Sequence, residues 1–555
     1  MIDTLQIYCK NIESYVDIKG GETLLEIFRR LSDKIGIKPI CAHVNNKTEG
    51  LDYPIFMPKM VEYVDVKNPS AQRMYVRSLC MVLTKAVHDV YPGAKLRIQH
   101  SISKGYFCVI ENGRKDFSVE AVKSRMEEIV AADYPICRYM KLTTDVIEIF
   151  RQAGMDDKVA LLQSNNELYA VYHQLEDMVD NYYGDLVPST GFVSVFNLIP
   201  YKDGMLLLPP DFKGDASKPV EAIVQEKMYN AFTDYIKFNH IVGVGDVAML
   251  NRVVDNGDVN MLINVAETLH DKKIGQIADE ITERYREGGA RVVLLAGPSS
   301  SGKTTTTKRL SIHLLANLIK PQMISLDDYF VNREATPRDE NGDYDYESLY
   351  ALDIEQFNKD LNALIAGEEV AMPTFDFASG RRIYKGNTLK LTENSILLME
   401  GIHGLNPELT RKIPDSQKFK VYVSALTTLV IDDHNWVPTT DNRLLRRIIR
   451  DYKYRGASAL DTISRWPSVR RGEEKWIFPF QENADAMFNS SLLFELGVMK
   501  EFAEPILKQV PHNVPEYAEA YRLLRFLNYF KAIPATQIPS TSLLREFLGG
   551  SSFSY

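Results

Sequence analysis

The eight residues Gly297-Pro298-Ser299-Ser300-Ser301-Gly302-Lys303-Thr304 constrain this chain more than any other stretch. They fit the pattern G-x-x-x-x-G-K-[ST] and stand between an apolar run, RVVLLA, and a helix-forming run that begins TTTTKRL. Glycine lets backbone N–H groups turn inward around a phosphate, and the helix N-terminus adds positive potential. In such a cradle Lys303 reaches the β- and γ-phosphates, the Thr304 hydroxyl is a magnesium ligand, and Thr305 follows as the next residue of the phosphate-binding turn. The pattern requires a buried strand before it and a helix after it, and the chain supplies both.

The remainder of the C-terminal half follows suit. From Arg291 onward, RVVLLAG, QMISLDD, SILLMEG and KFKVYVS are short apolar runs separated by helical stretches. That alternation is the mark of a parallel sheet with crossover helices. A chain of 555 residues is too long for one hydrophobic core. The expected class is multidomain α/β, divided into an α+β unit at 1–66, a mixed unit at 67–214 and a helical connector at 215–288. The phosphate-binding unit follows at 289–512, then a C-terminal helix and short polar tail at 513–555.

Composition narrows the partners. With 65 basic and 74 acidic residues the net charge is −9, which argues against a nucleic-acid coat or an anionic membrane surface as the main partner. Five cysteines without a CxxC pair read as buried apolar thiols in a reducing compartment. The opening MIDTLQIYCKNIE has no basic segment followed by an apolar one, and no apolar run approaches the ~20 residues that cross a bilayer. A cytoplasmic setting is the expectation.

Three further features suit phosphoryl transfer. QMISLDDYF sets Asp327 and Asp328 at the end of a buried strand, where a carboxylate can bind magnesium or accept a proton from an attacking hydroxyl. SILLMEG sets Glu400 at the end of another, as a direct or indirect magnesium contact. The helical run DNRLLRRIIRDYKYRG brings Arg443, Arg447 and Arg450 to one face, with Arg446 beside them and Arg455 beyond. A mobile lid closing on the transferred group is the reading adopted, against that of a solvated charged face.

With these residues in place, 291–500 resembles the uridine kinase family, part of the phosphoribulokinase-like P-loop group. The resemblance rests on GPSSSGKT, SLDDYF, YDYESLYALD, PTFDFASGRR, LLMEGIHGL and RRIIRDYKYRG. It implies ATP and Mg²⁺ as cofactors, with Lys303, Arg450 and Arg455 serving catalysis and Asp327 as the base. The magnesium ligands would be Thr304, Asp327 and Glu400. Asp345 would hold sugar hydroxyls, Phe375 and Phe377 would line the acceptor pocket, and Arg447 would close over it. Two base-reading groups of the family are replaced here, a histidine by Gly380 or a neighbouring arginine and a glutamine by Arg465. The expected acceptor is a nucleoside such as uridine or cytidine. The arginines gained nearby (Arg381, Arg382, Arg465) would also suit an anionic acceptor such as a sugar phosphate.

The N-terminal half resembles the start of threonyl-tRNA synthetases, with a TGS-like module at 1–66 and an editing-like domain at 67–214. Arg77 and Met81 stand where functional editing domains carry HxxxH, and Asp185-Leu186 runs directly into Val187-Pro188-Ser189-Thr190-Gly191 where a Cys/His pair would precede the turn. Without those ligands the resemblance implies no editing. A nucleotide-regulated RNA- or ribosome-binding protein is the alternative from another class, with nucleic acid approaching through the TGS-like module. A homo-oligomer is compatible with the sequence.

Overall fold

The computed structural model describes residues 4–111, 117–339, 342–376 and 378–555. Phe377, one of the two expected pocket phenylalanines, lies outside these residues. The first sheet has five strands in the order Ser14–Lys19, Thr4–Cys9, Met60–Val64, Cys41–Val44, Lys47–Glu49. One helix, Leu24–Ile35, covers it because Leu24, Ile27, Leu31 and Ile35 fall on one face and are buried with Ile7, Val61 and Tyr63. Thr23 and Glu26 close a capping box at its start, worth about 1 kcal/mol.

The next segment is built around the helix Pro69–Val90, whose residues from Met74 to Val87 are all buried. It lies among a four-stranded antiparallel sheet that includes Leu96–Ile102 and Gly204–Leu208, and a three-stranded sheet edged by Ile136–Leu142. Cys9, Cys41, Cys80 and Cys108 are buried free thiols, whereas Cys137 is exposed, contrary to the expectation of five buried ones. Its strand is an edge strand, and every residue of it after Ile136 faces solvent.

The C-terminal sheet is parallel throughout, in the order Lys320–Ser325, Ser395–Glu400, Val292–Ala296, Lys418–Ser424, Ala486–Asn489. Its central strand explains the unbroken apolar run: Val292 and Leu294 pack on one face with Phe357 and Leu361, Val293 and Leu295 on the other with Leu310 and Leu314. The long helix Val259–Arg286 contributes Ile274, Ile277 and Ile281 to that second face, so the connecting helices are part of the layer rather than a spacer. Among the described residues, no helix is long and apolar enough to cross a membrane.

The last residues depart from the expected polar tail. Leu543 and Phe547 are fully buried against the same sheet face, and the chain after the helix Tyr517–Leu527 folds back across the phosphate cradle. The alternation of Ser, Thr and Gly hid two anchoring side chains.

Candidate active site

The cradle follows directly from local geometry. At Gly297 a Cβ would lie 1.9 Å from the carbonyl oxygen of Val423 on the neighbouring strand, so only glycine lets the chain leave the sheet there. Gly302 has φ +83° and starts the helix Lys303–Ala316, which positions the N-terminal amides of that helix at the loop. Lys303 Nζ donates to the Pro298 carbonyl at 3.1 Å, and Thr304 Oγ1 donates to Glu400 Oε1 at 3.1 Å.

Glu400 ends its strand in register with Ser325 on one side and Leu295 on the other. Asp327 sits two residues past Ser325, on the single turn Leu326–Tyr329, its N–H donating to Ser325 Oγ. Lys303, Thr304, Asp327 and Glu400 therefore meet at the carboxyl ends of three adjacent parallel strands, the edge where ligands bind in open α/β sheets. Asp327 is exposed to solvent, with protein near enough around it to desolvate its carboxyl. Desolvation raises its pKa, with Asp328 adding to the rise and Lys303 and Arg455 opposing it. Burial pushes Glu400 up to about 7, against the pull of Lys303. Lys303 is held below its ordinary value by burial, although Glu400, Glu546, Asp327 and Glu347 oppose that.

Around the turn at Asp327 the acceptor-side segments are pinned. Asp328 accepts from the Phe375 N–H at 3.2 Å, and the Phe330 and Phe375 rings lie 5.5 Å apart. Phe375 belongs to the hairpin of Val370–Asp376 and Arg381–Leu389. Asp345 is half-buried and its carboxylate accepts from the Glu347 N–H at 3.2 Å. Of the arginines gained on this side, Arg382 is ion-paired to Asp353 at 2.9 Å, while Arg381 and Arg465 are exposed. Arg382 is thus already engaged, which weakens its role in an anionic pocket.

The arginine helix Thr439–Arg455 corrects the lid expectation in part. Arg443 is 1% exposed and chelates Glu473 at 2.5 and 2.9 Å, while donating to the Ser299 carbonyl at 3.0 Å. Arg446 is buried against Glu495 and donates to the Ser300 carbonyl at 3.4 Å. Glu473 in turn accepts from the Ser299 N–H at 2.9 Å. These two arginines are fixed buttresses of the cradle, not closing groups: they sit on the face of the helix turned to the core. Arg447 donates to Ser299 Oγ at 2.7 Å, and Arg450 and Arg455 pair with Asp451 at 2.9 and 3.5 Å. Arg447 thus reaches the cradle itself and Arg455 lies near enough to act on Asp327, whereas Arg450 is engaged by Asp451.

Four residues of the site were missed by sequence reasoning. Glu347, raised to about 7 by burial and by Glu473, faces Arg447 and Lys303. Its signal was present in YDYESLYALD but was attributed to Asp345 alone. Glu473 lies in the helix Ala459–Trp476 among other charges, and nothing in its spacing sets it apart. Glu546 and Tyr555 come from the tail: Glu546 accepts from Thr305 N–H and Oγ1, and the Tyr555 hydroxyl lies 2.8 Å from Thr305 Oγ1.

Comparison with known proteins agrees with this geometry. Residues 292–492 match the model of the Phosphoribulokinase / Uridine kinase family. A uridine kinase of Staphylococcus aureus (strain JH9) is 29% identical over 195 residues, covering 35% of this chain and 84% of the relative. A threonine–tRNA ligase of Syntrophomonas wolfei is 29% identical over 177 residues, 31% of this chain; the chain spans 27% of that relative's length. A solved structure from Bacillus stearothermophilus, described as a possible uridine kinase, is 20% identical and covers 38% of this chain and 97% of its own, with a TM-score of 0.26. The chain is a composite in its similarities: residues 292–492 match the model of the phosphoribulokinase and uridine kinase family, and an N-terminal region is similar to part of a threonine–tRNA ligase.

Proposed function

We propose that the chain is an ATP- and magnesium-dependent kinase that transfers the γ-phosphoryl group to a hydroxyl of a nucleoside-like acceptor, with 289–512 as the catalytic unit. The observation that carries this reading is the convergence of Lys303, Thr304, Asp327 and Glu400 at one sheet edge, facing the acceptor-side segments around Asp345 and Phe375. A bare nucleotide switch has no need of a carboxylate aimed into a second, acceptor-side cleft.

The donor set fits magnesium: one hydroxyl and two carboxylates, all hard oxygen ligands, with Thr304 and Glu400 already 3.1 Å apart. Bound there, magnesium would neutralise charge on the β- and γ-phosphates. The N–H groups from Gly302 to Thr304 and the Lys303 ammonium would hold those phosphates in line with the acceptor. Asp327 takes the proton of the acceptor hydroxyl, helped by a pKa that desolvation raises. The acceptor oxygen bonds to phosphorus as the bond to the β-phosphate oxygen breaks, giving ADP and a phosphomonoester. Arg447, Arg450 and Arg455 stabilise charge on the transferred group. Asp345 and Phe375 contact the acceptor, and Gly380 and Arg465 leave the choice of base open.

ADP release by the purified full chain over a panel of nucleosides and sugar phosphates tests the proposal. Stimulation by one small acceptor is the expected result. Stimulation only by tRNA or ribosomes, with none by any small hydroxyl compound, would replace the kinase with a nucleotide switch.

A further inference from the structure

A second charged cleft lies far from the cradle in sequence, where the N-terminal sheet, the helix Pro69–Val90 and the helix Tyr517–Leu527 meet. Its free volume is about 50 Å³, room for a few waters or one small oxyanion. Arg73, Arg77, Arg522 and Arg525 line it, with Asp185 as the only acidic residue of the lining.

The charges there do not balance. Arg73 is paired with Glu519 at 2.8 Å, Arg522 chelates Asp441 at 2.6 and 2.9 Å, and Asp185 is paired with Arg138 at 3.2 Å. Arg77 differs. It is 8% exposed, it forms no ion pair among the described residues, and its buried Nε donates to nothing. Its one hydrogen bond goes from Nη2 to the Asp185 carbonyl at 3.0 Å. Gly184 leaves room for the guanidinium, since a Cβ there would lie 2.7 Å from it. Glu49, the nearby carboxyl from the first sheet, is pushed up to about 7 by burial and by Asp185, so it is a poor counter-ion. A buried guanidinium left uncompensated is strongly disfavoured, and burial accordingly draws Arg77 down to about 10.

We propose that this cleft binds a small oxyanion, a phosphate or carboxylate group, gripped by Arg77 with Arg525 at its rim. A guanidinium offers parallel donors to such a group. The four arginines supply the attraction, and the domain junction makes the bound anion a fastener between the N-terminal half and the C-terminal helix.

The test uses the full chain with its cradle saturated by magnesium and a non-hydrolysable ATP analogue, so that the P-loop cannot take the added anion. Inorganic phosphate and acetate are titrated separately at constant ionic strength, and the thermal midpoint and binding heat are followed. A saturable rise with one of the two anions is expected, and which anion produces it identifies the source. In Arg77→Met and in Arg525→Gln the affinity falls at least about tenfold. No saturable rise with either anion in the wild type overturns the proposal. Unchanged affinity in Arg525→Gln overturns it too, and that variant decides the matter should Arg77→Met fail to fold.

Discussion

The Glu546 carboxylate lies on the first turn of the P-loop helix, 3.2 Å from the Thr305 amide nitrogen and 2.7 Å from the Thr305 hydroxyl. It satisfies donors that the helix N-terminus would otherwise offer to phosphate. Leu543 against Gly302, and Lys453 bonded to the Leu548 carbonyl, hold the tail in that position. A nucleotide entering the cradle must meet this negative charge or displace it. Glu546→Gln keeps the shape and removes the charge, so its affinity for magnesium-bound ATP rises about tenfold. Equilibrium binding of a non-hydrolysable analogue measures this; unchanged or weaker binding would mean that the tail leaves the phosphate path clear.

Arg443 and Glu473 form a buried ion pair that also holds both backbone groups of Ser299. Removing Arg443 leaves the buried Glu473 with Arg470 as its remaining ion-pair partner, at 2.9 Å, which costs about 1–3 kcal/mol. Arg443→Met is expected to lower the unfolding free energy by that amount and to weaken ATP binding, because Ser299 loses its brace. Arg450→Met, at a half-buried position, lowers turnover with little loss of stability. Chemical unfolding and steady-state kinetics on the two variants separate the two roles.

The junction of the N-terminal half with the C-terminal helix has an acid-sensitive link. Burial alone would raise the pKa of Glu519, but Arg522 and Arg73 hold it down to about 2. A carboxyl depressed in the folded state binds fewer protons there than when unfolded. Its contribution to stability is therefore complete above the ordinary glutamate value of about 4.3 and is lost as the pH falls toward 2. The wild type should lose stability over that interval, and Glu519→Gln should show a shallower pH dependence there. Equal slopes in the two proteins, measured by urea unfolding at a series of pH values, would contradict this.

What the sequence revealed and concealed follows physical lines. The parallel sheet was legible because Val292 to Ala296 are buried on both faces and so read as one apolar run. Lys303, Thr304, Asp327 and Glu400 were legible because each stands at a strand end or in the glycine loop, positions marked by local pattern. Glu473 and Glu546 were not: each reaches the cradle from a distant element, and only the tertiary fold places it beside Ser299 or Thr305. The arginine helix was half-legible. Its periodicity was plain, but a charged face turned toward buried carboxylates has the same spacing as one turned toward solvent. The tail was misread because two buried side chains, Leu543 and Phe547, are too few to outweigh their polar surroundings in a sequence window.

The central claim is that Asp327, at the end of its strand beside Lys303 and Glu400, draws the proton from an acceptor hydroxyl during phosphoryl transfer. Asp327→Asn preserves size and hydrogen bonding while removing the basic oxygen. With the acceptor found by the nucleoside panel, this variant should lose at least about 100-fold in kcat while binding the ATP analogue nearly as well as the wild type. Wild-type turnover by Asp327→Asn would contradict the account.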